Sequence, residues 1–173
     1  MNFLSSPGSP WPSTLKIGSL HLTPPLLLAP MAGYTDLAFR LTVRALGGTG
    51  LAYTEMLNSQ SVLFGKSRRS RAILATSPED VPLGYQIYGK EAEPLCASAR
   101  KLEQAGAKLI DLNMGCPQKK ISSRGSGAGL LRDPALALTL AAQVVAAVKI
   151  PVTVKLRLGW DESQPVAAAL ARD

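Results

Sequence analysis

Five short apolar runs alternate along this chain with stretches patterned as helices, and that alternation constrains the fold more than any other feature. The runs are Leu26–Met31, Leu51–Leu57, Pro82–Tyr88, Leu109–Gly115 and Pro151–Leu158. A first helix is expected from Thr35 or Asp36, either able to cap it, to about Leu46, where Gly47-Gly48 is a stop signal. Ser59 to about Thr76 reads as a helix, or a helix plus loop, carrying Lys66, Arg68, Arg69 and Arg71. A third helix covers about Glu91 to Ala105, with Leu95, Ala99 and Leu102 on one face. Asp133-Pro134 is an N-cap followed by proline at the first helical position, opening a helix with Leu136, Leu140, Val144 and Val148 in steps of four. A last helix is expected from near Ser163 to Asp173, and a small hairpin around Gly18, from Leu15 to Leu22, comes before everything else. When helix separates each strand from the next, every crossover returns the chain on the same side and the strands run parallel. The expected class is α/β with a parallel sheet.

At 173 residues the chain is expected to be one domain with room for a core. Residues 1–14 read as a flexible leader, lacking the basic start and apolar centre of a signal peptide, and 15–173 as the folded part. The run Leu26-Leu27-Leu28-Ala29 is bounded by prolines and far too short to span a bilayer, so no membrane partner is expected. Two cysteines and one histidine form neither a disulfide framework nor a zinc set, so no metal is expected and a reducing, cytoplasmic setting fits. His21 reads as structural and Cys96 as core packing. A formal charge of +7 and a pI near 9.7 favour a polyanionic partner, with solubility as the competing explanation.

Strand residues alternate between the helices and the barrel interior. In the fifth run Val152, Val154, Leu156 and Leu158 share one face, while Thr153, Lys155 and Arg157 share the other. A lysine and an arginine in a dry interior are costly without an acceptor-rich partner. Glu55, Gln86, Asp111 and Asn113 repeat this polarity on the neighbouring runs, each in the C-terminal half. A flat heterocycle rich in carbonyl and ring-nitrogen groups would suit the amides Gln86 and Asn113 plus Lys155. The fourth run ends in Gly115-Cys116-Pro117, where proline cannot continue the ladder and disfavours helix before it. A thiol at a strand tip followed by a basic, Gly-rich loop is how α/β folds carry active sites, although a free cysteine is often mere packing.

Together the segments 28–36 (Leu-Ala-Pro-Met-Ala-Gly-Tyr-Thr-Asp), 54–56 (Thr-Glu-Met), 86–89 (Gln-Ile-Tyr-Gly), 111–120 (Asp-Leu-Asn-Met-Gly-Cys-Pro-Gln-Lys-Lys) and 152–160 closely resemble the bacterial tRNA-dihydrouridine synthases, most of all the B subtype. The resemblance runs from about residue 15 onward. It implies an FMN-dependent TIM (β/α)8 barrel followed by a helical RNA-binding domain, of which this chain supplies about the first five β/α units. Carried over by position, Pro30, Met31 and Ala32 resemble the segment lining the flavin, and Gln86 and Lys155 the groups bonding its ring. Asn113 resembles the residue beside flavin and base, and Cys116 the proton donor. Glu55, Lys119, Lys120, Arg124 and Arg157 are the expected substrate or RNA contacts, with Arg132 and the 66–71 cluster as further phosphate contacts, a solvated helix face being the competing reading of that cluster.

The implied reaction uses NADPH (or NADH) to reduce FMN, passes hydride to C6 of a tRNA uracil and protonates C5. The base must leave its stack to reach the ring. Neighbouring lysines would lower a thiol pKa, so Lys119 and Lys120 are expected to face phosphate. Two other functions stay open: an FMN barrel acting on a free pyrimidine, as in dihydroorotate dehydrogenase, and an inactive remnant that at most binds RNA. A closed barrel needs eight strands, so the chain is expected to be the N-terminal part of a longer protein, monomeric when full length, and to hold FMN weakly or not at all alone.

Overall fold

The computed structural model describes residues 12–172. Of the leader expected over 1–14, residues 1–11 lie outside the described residues, as does Asp173. The hairpin forms as β1 (Leu15–Ile17) antiparallel to β2 (Leu20–Leu22), with Lys16 opposite His21. Leu22 packs on Leu51, Tyr53 and Leu109, so the hairpin sits against the N-terminal ends of the main strands.

The main sheet is parallel throughout. Its order is β3 (Leu27–Leu28), β4 (Leu51–Tyr53), β6 (Leu83–Tyr88), β7 (Leu109–Met114) and β8 (Val152–Leu156), with β5 (Leu57–Asn58) also beside β6. This is the curled five-stranded half of a TIM barrel, parallel as the alternation implied and of the barrel type that the resemblance implied. Between the strands run α1 (Leu37–Ala45), α2 (Ser59–Phe64), α3 (Arg68–Leu74), α4 (Ala92–Gln104), α5 (Lys119–Ser122) and α6 (Pro134–Ala147), and α7 (Ala167–Leu170) follows β8. A 3₁₀ helix, Gly127–Arg132, leads into α6. Every residue of β7 is buried, as in a parallel strand covered on both sides. Ile110, Leu112 and Met114 join Tyr85 and Ile87 against Leu95, Ala99 and Leu102 of α4 and Leu140 and Val144 of α6.

The caps explain the boundaries. Asp36 Oδ1 accepts from Phe39 N at 2.9 Å to start α1, and Asp133 Oδ1 from Leu136 N at 3.0 Å to start α6. Arg40 and Asp80, both fully buried, are joined at 2.7 Å. Arg40 also donates to the carbonyls of Thr35 and Ala75, and Arg44 Nε reaches Asp80 Oδ1 at 3.0 Å. These bonds clamp α1 to the segment entering β6.

Several expectations are corrected. The first run is strand only at Leu27–Leu28, because the Thr49 hydroxyl takes the Leu28 N–H and the Thr35 hydroxyl takes that of Met31. The second run breaks after Tyr53. Four steps separate Tyr53 from Leu57, against three from Gly84 to Ile87 on β6, a bulge in which Thr54 Oγ1 accepts from Gln86 N at 3.3 Å. The stretch 59–76 is two helices, because Ser67 caps a fresh start at α3 after Gly65. On α6, Ala137 takes the buried position given to Leu136, which is exposed. Strand β8 stops at Leu156, so Leu158 stands 80% exposed instead of under the helices. The last helix starts at Ala167, since Asp161 folds back on Ser163 N and Oγ in a turn.

Candidate functional site

Register builds the site. Gln86 on β6 lies level with Asp111 on β7, which lies level with Thr153 on β8; one layer higher, Asn113 lies level with Lys155. All five point away from the helices, into the concave side of the sheet. Gly84, on the same face one layer below Gln86, has no room for a Cβ: the Tyr53 ring would lie 2.7 Å from it.

A continuous hydrogen-bonded chain crosses these strands. Thr153 Oγ1 donates to Asp111 Oδ1 at 2.6 Å, and Gln86 Nε2 donates to Asp111 Oδ2 at 2.6 Å. Asn113 Nδ2 donates to Gln86 Oε1 at 2.8 Å. Asn113 Oδ1 then accepts from the backbone N–H groups of Gly115 at 3.2 Å and Cys116 at 2.9 Å, which closes the turn at the strand tip. Burial pushes the Asp111 carboxyl above the usual range, partly offset by the bonds from Thr153 and Gln86 and by the nearby Lys155. Burial likewise pushes the Tyr53 hydroxyl up to about 12, the Thr153 bond opposing and the Asp111 charge adding.

Two clefts open above this layer. One, of about 310 Å³, is lined by Pro30, Ala32, Met56, Gln86, Asn113, Gly115, Cys116, Pro117, Gln118 and Lys155. The other, of about 280 Å³, lies against Leu27, Ala29, Tyr53, Asp111, Thr153 and Val154, and shares Pro30 and Lys155 with the first. The structure therefore brings Pro30, Ala32, Gln86, Asn113, Cys116 and Lys155 to one cavity. The lining combines flat apolar groups with an ammonium that makes no ion pair among the described residues. Gln86 keeps one N–H uncommitted, whereas both ends of the Asn113 amide are bonded within the protein.

Other expected site residues sit elsewhere. Met31 is exposed and outside the cleft lining, its backbone tied to Thr35. Glu55 is outside the lining of both clefts: its carboxylate accepts from the N–H of Gly33 at 2.5 Å, with Arg69 Nη2 at 3.7 Å, so it holds the 31–34 loop. Arg157 lies past the end of β8 and lines a separate cleft with Trp160 and Asp161. Arg132 is stacked 3.6 Å over the Trp160 ring. Lys119, Lys120 and Arg124 are exposed on α5 and the turn after it, just beyond Cys116-Pro117. Met56, Gly115 and Gln118 line the cleft unannounced, although Gly115 and Gln118 flank Cys116-Pro117. Cys96 is half-buried on α4 against the core, where burial raises its pKa.

A parallel half-barrel that gathers an ammonium, two amides and a thiol around the C-terminal tips of its strands belongs to the TIM-barrel class of α/β proteins. Residues 27–173 match the family described as Dihydrouridine synthase, and the chain belongs to that family. It is 47% identical over 158 residues to a probable tRNA-dihydrouridine synthase of Rhodobacter capsulatus, covering 91% of this chain and 48% of that protein. It is 42% identical over 160 residues to tRNA-dihydrouridine synthase B of Pseudomonas aeruginosa, covering 92% and 48%. A probable tRNA-dihydrouridine synthase 1 of Synechocystis is 39% identical over 154 residues, covering 89% and 43%. The chain spans about half the length of these relatives. Among the described residues no helix is long and apolar enough to cross a membrane, and no group of three or more His, Cys, Asp or Glu could hold a metal.

Proposed function

We propose that this chain carries the N-terminal catalytic portion of a tRNA-dihydrouridine synthase, which reduces the C5–C6 double bond of uridines in tRNA. One observation supports this most: Gln86, Asn113, Cys116 and Lys155, drawn from three strands and a turn, line a single cleft. The donors fit a flavin, whose carbonyl and ring-nitrogen edge asks for what Lys155 and the free N–H of Gln86 offer. When bound and reduced by NADPH or NADH, FMN supplies the hydride for C6 of the base.

The chain's own residues do the rest. Lys155 sets a positive charge at the cleft, where it favours an anionic ring edge. Pro30 and Ala32 give the cofactor a flat wall. Cys116 holds a proton on Sγ and delivers it to C5 of the uracil, acting as general acid. Lys119, Lys120 and Arg124 take phosphates of the strand from which the base is turned out.

Cys116→Ala separates catalysis from binding. In a flavin-loaded protein completed to the length of its relatives, uridine reduction is expected to fall by at least about a hundredfold, the scale of a lost general acid. Binding of tRNA in a filter assay should stay within about twofold, because the phosphate contacts remain. Undiminished reduction by the variant removes Cys116 from the mechanism, and turnover of free uracil as fast as tRNA points to a small-molecule enzyme instead.

A further inference from the structure

We propose that Asp111 is the positioning residue for Cys116, acting at a distance by fixing the direction in which the amides of Gln86 and Asn113 face. This rests on the reading of Cys116 as proton donor, but the geometry behind it is independent of that reading. The chain Asp111, Gln86, Asn113, Gly115-Cys116 has chemically defined ends. An ionised carboxylate can only accept and backbone N–H groups can only donate. Between them stand two amides, each with one accepting and one donating end. Only one arrangement satisfies every link: Gln86 gives its Nε2 to Asp111, Asn113 gives its Nδ2 to Gln86, and Asn113 is left with Oδ1 toward the turn. The two ends demand the same polarity, so neither amide is free to reverse.

Without an acceptor at position 111, this constraint is lost at one end. Gln86 is then free to turn its amide over and offer Nε2 to Asn113. Asn113 would reverse in answer, bringing its NH₂ against the N–H groups of Gly115 and Cys116, donor against donor. The turn holding the half-buried thiol would open. Water offers no ready substitute acceptor, since Gln86 is 1% exposed and Asp111 4% exposed. Gly127 hems the turn from the far side, where a Cβ would lie 2.8 Å from the Cys116 carbonyl oxygen.

The chain has a built-in reference thiol. Cys96, on α4, is outside the network, so alkylation by iodoacetamide can be followed at both cysteines by peptide mass mapping. Asp111→Leu is expected to speed alkylation of Cys116 by about tenfold, the effect of losing one or two ordinary hydrogen bonds, with Cys96 unchanged. Gln86→Met cuts the same chain without removing a charge and should give the same selective rise. Asp111→Asn should stay within about twofold of wild type, because it can keep an oxygen toward Gln86 and turn its NH₂ to the Thr153 hydroxyl. Equal acceleration of both thiols would show that Asp111 holds the fold and not the turn. An unchanged Cys116 in Asp111→Leu and Gln86→Met, or an Asp111→Asn as fast as Asp111→Leu, also overturns the proposal. None of these readouts uses uridine reduction, so the inference can fail while the proposed activity stands.

Discussion

Asp111 shows what a single residue costs and contributes here. Burial holds its carboxyl above the ordinary range, so the folded protein keeps that proton to higher pH than the unfolded chain, whose carboxyl titrates near about 3.9. The folded state thus binds more protons between those two values, and stability from this group falls as pH rises through that window and then levels. Asp111→Asn is expected to remove the slope. Measured by urea unfolding, the stability of wild type minus variant should decline from about pH 4 upward and then flatten; a difference that rises with pH contradicts the assignment. At this scale the sequence was partly legible. Alternation was enough to put Gln86, Asp111, Asn113 and Lys155 on the interior side of their strands. It could not show that Gln86, Asp111 and Thr153 stand level, because register depends on how each crossover helix returns the chain, nor that Glu55 falls where its strand carries one extra residue.

Among the elements, α1 depends on a buried ion pair and not on an apolar face alone. Arg40 and Asp80 are wholly enclosed, with Arg44 on the second carboxylate oxygen. Asp80→Asn leaves two guanidinium groups without their counter-charge and is expected to cost about 3–5 kcal/mol in chemical denaturation, the scale for breaking one side of a buried pair. Glu55 and Arg69 make an instructive contrast. Arg69 is 76% exposed and 3.7 Å away, so Arg69→Ala should change stability by less than about 1 kcal/mol in the same assay. Helices with strong signals were legible: Asp36 and the Asp133-Pro134 start cap α1 and α6 as their types require. What escaped were the places where a side chain interrupts a ladder or a loop. Thr49, Thr35 and Thr54 shorten the first two strands, and Asp161 delays α7 by folding the chain over Ser163. Such bonds join residues through tertiary approach or one local turn, and neither leaves a periodic trace.

In the molecule as a whole, a sheet that would close on itself in a complete barrel instead has two flanks. Among the described residues β3 is paired only with β4 and β8 only with β7. Lys155, which the proposed flavin site needs, sits on the outer strand, with one side of its cleft open. The purified chain is therefore expected to retain little flavin after gel filtration, judged by absorbance near 450 nm. A stoichiometric yellow protein would show the half-barrel to be self-sufficient. The outward flank of β8 has a further consequence. Its unshared N–H and C=O groups, spaced for a parallel neighbour, form a template that a separate polypeptide could anneal to. Two fragments made apart, this chain and one supplying the other half of the relatives' length, should reassemble without a covalent link, with the Val152–Leu156 seam as the suture between them.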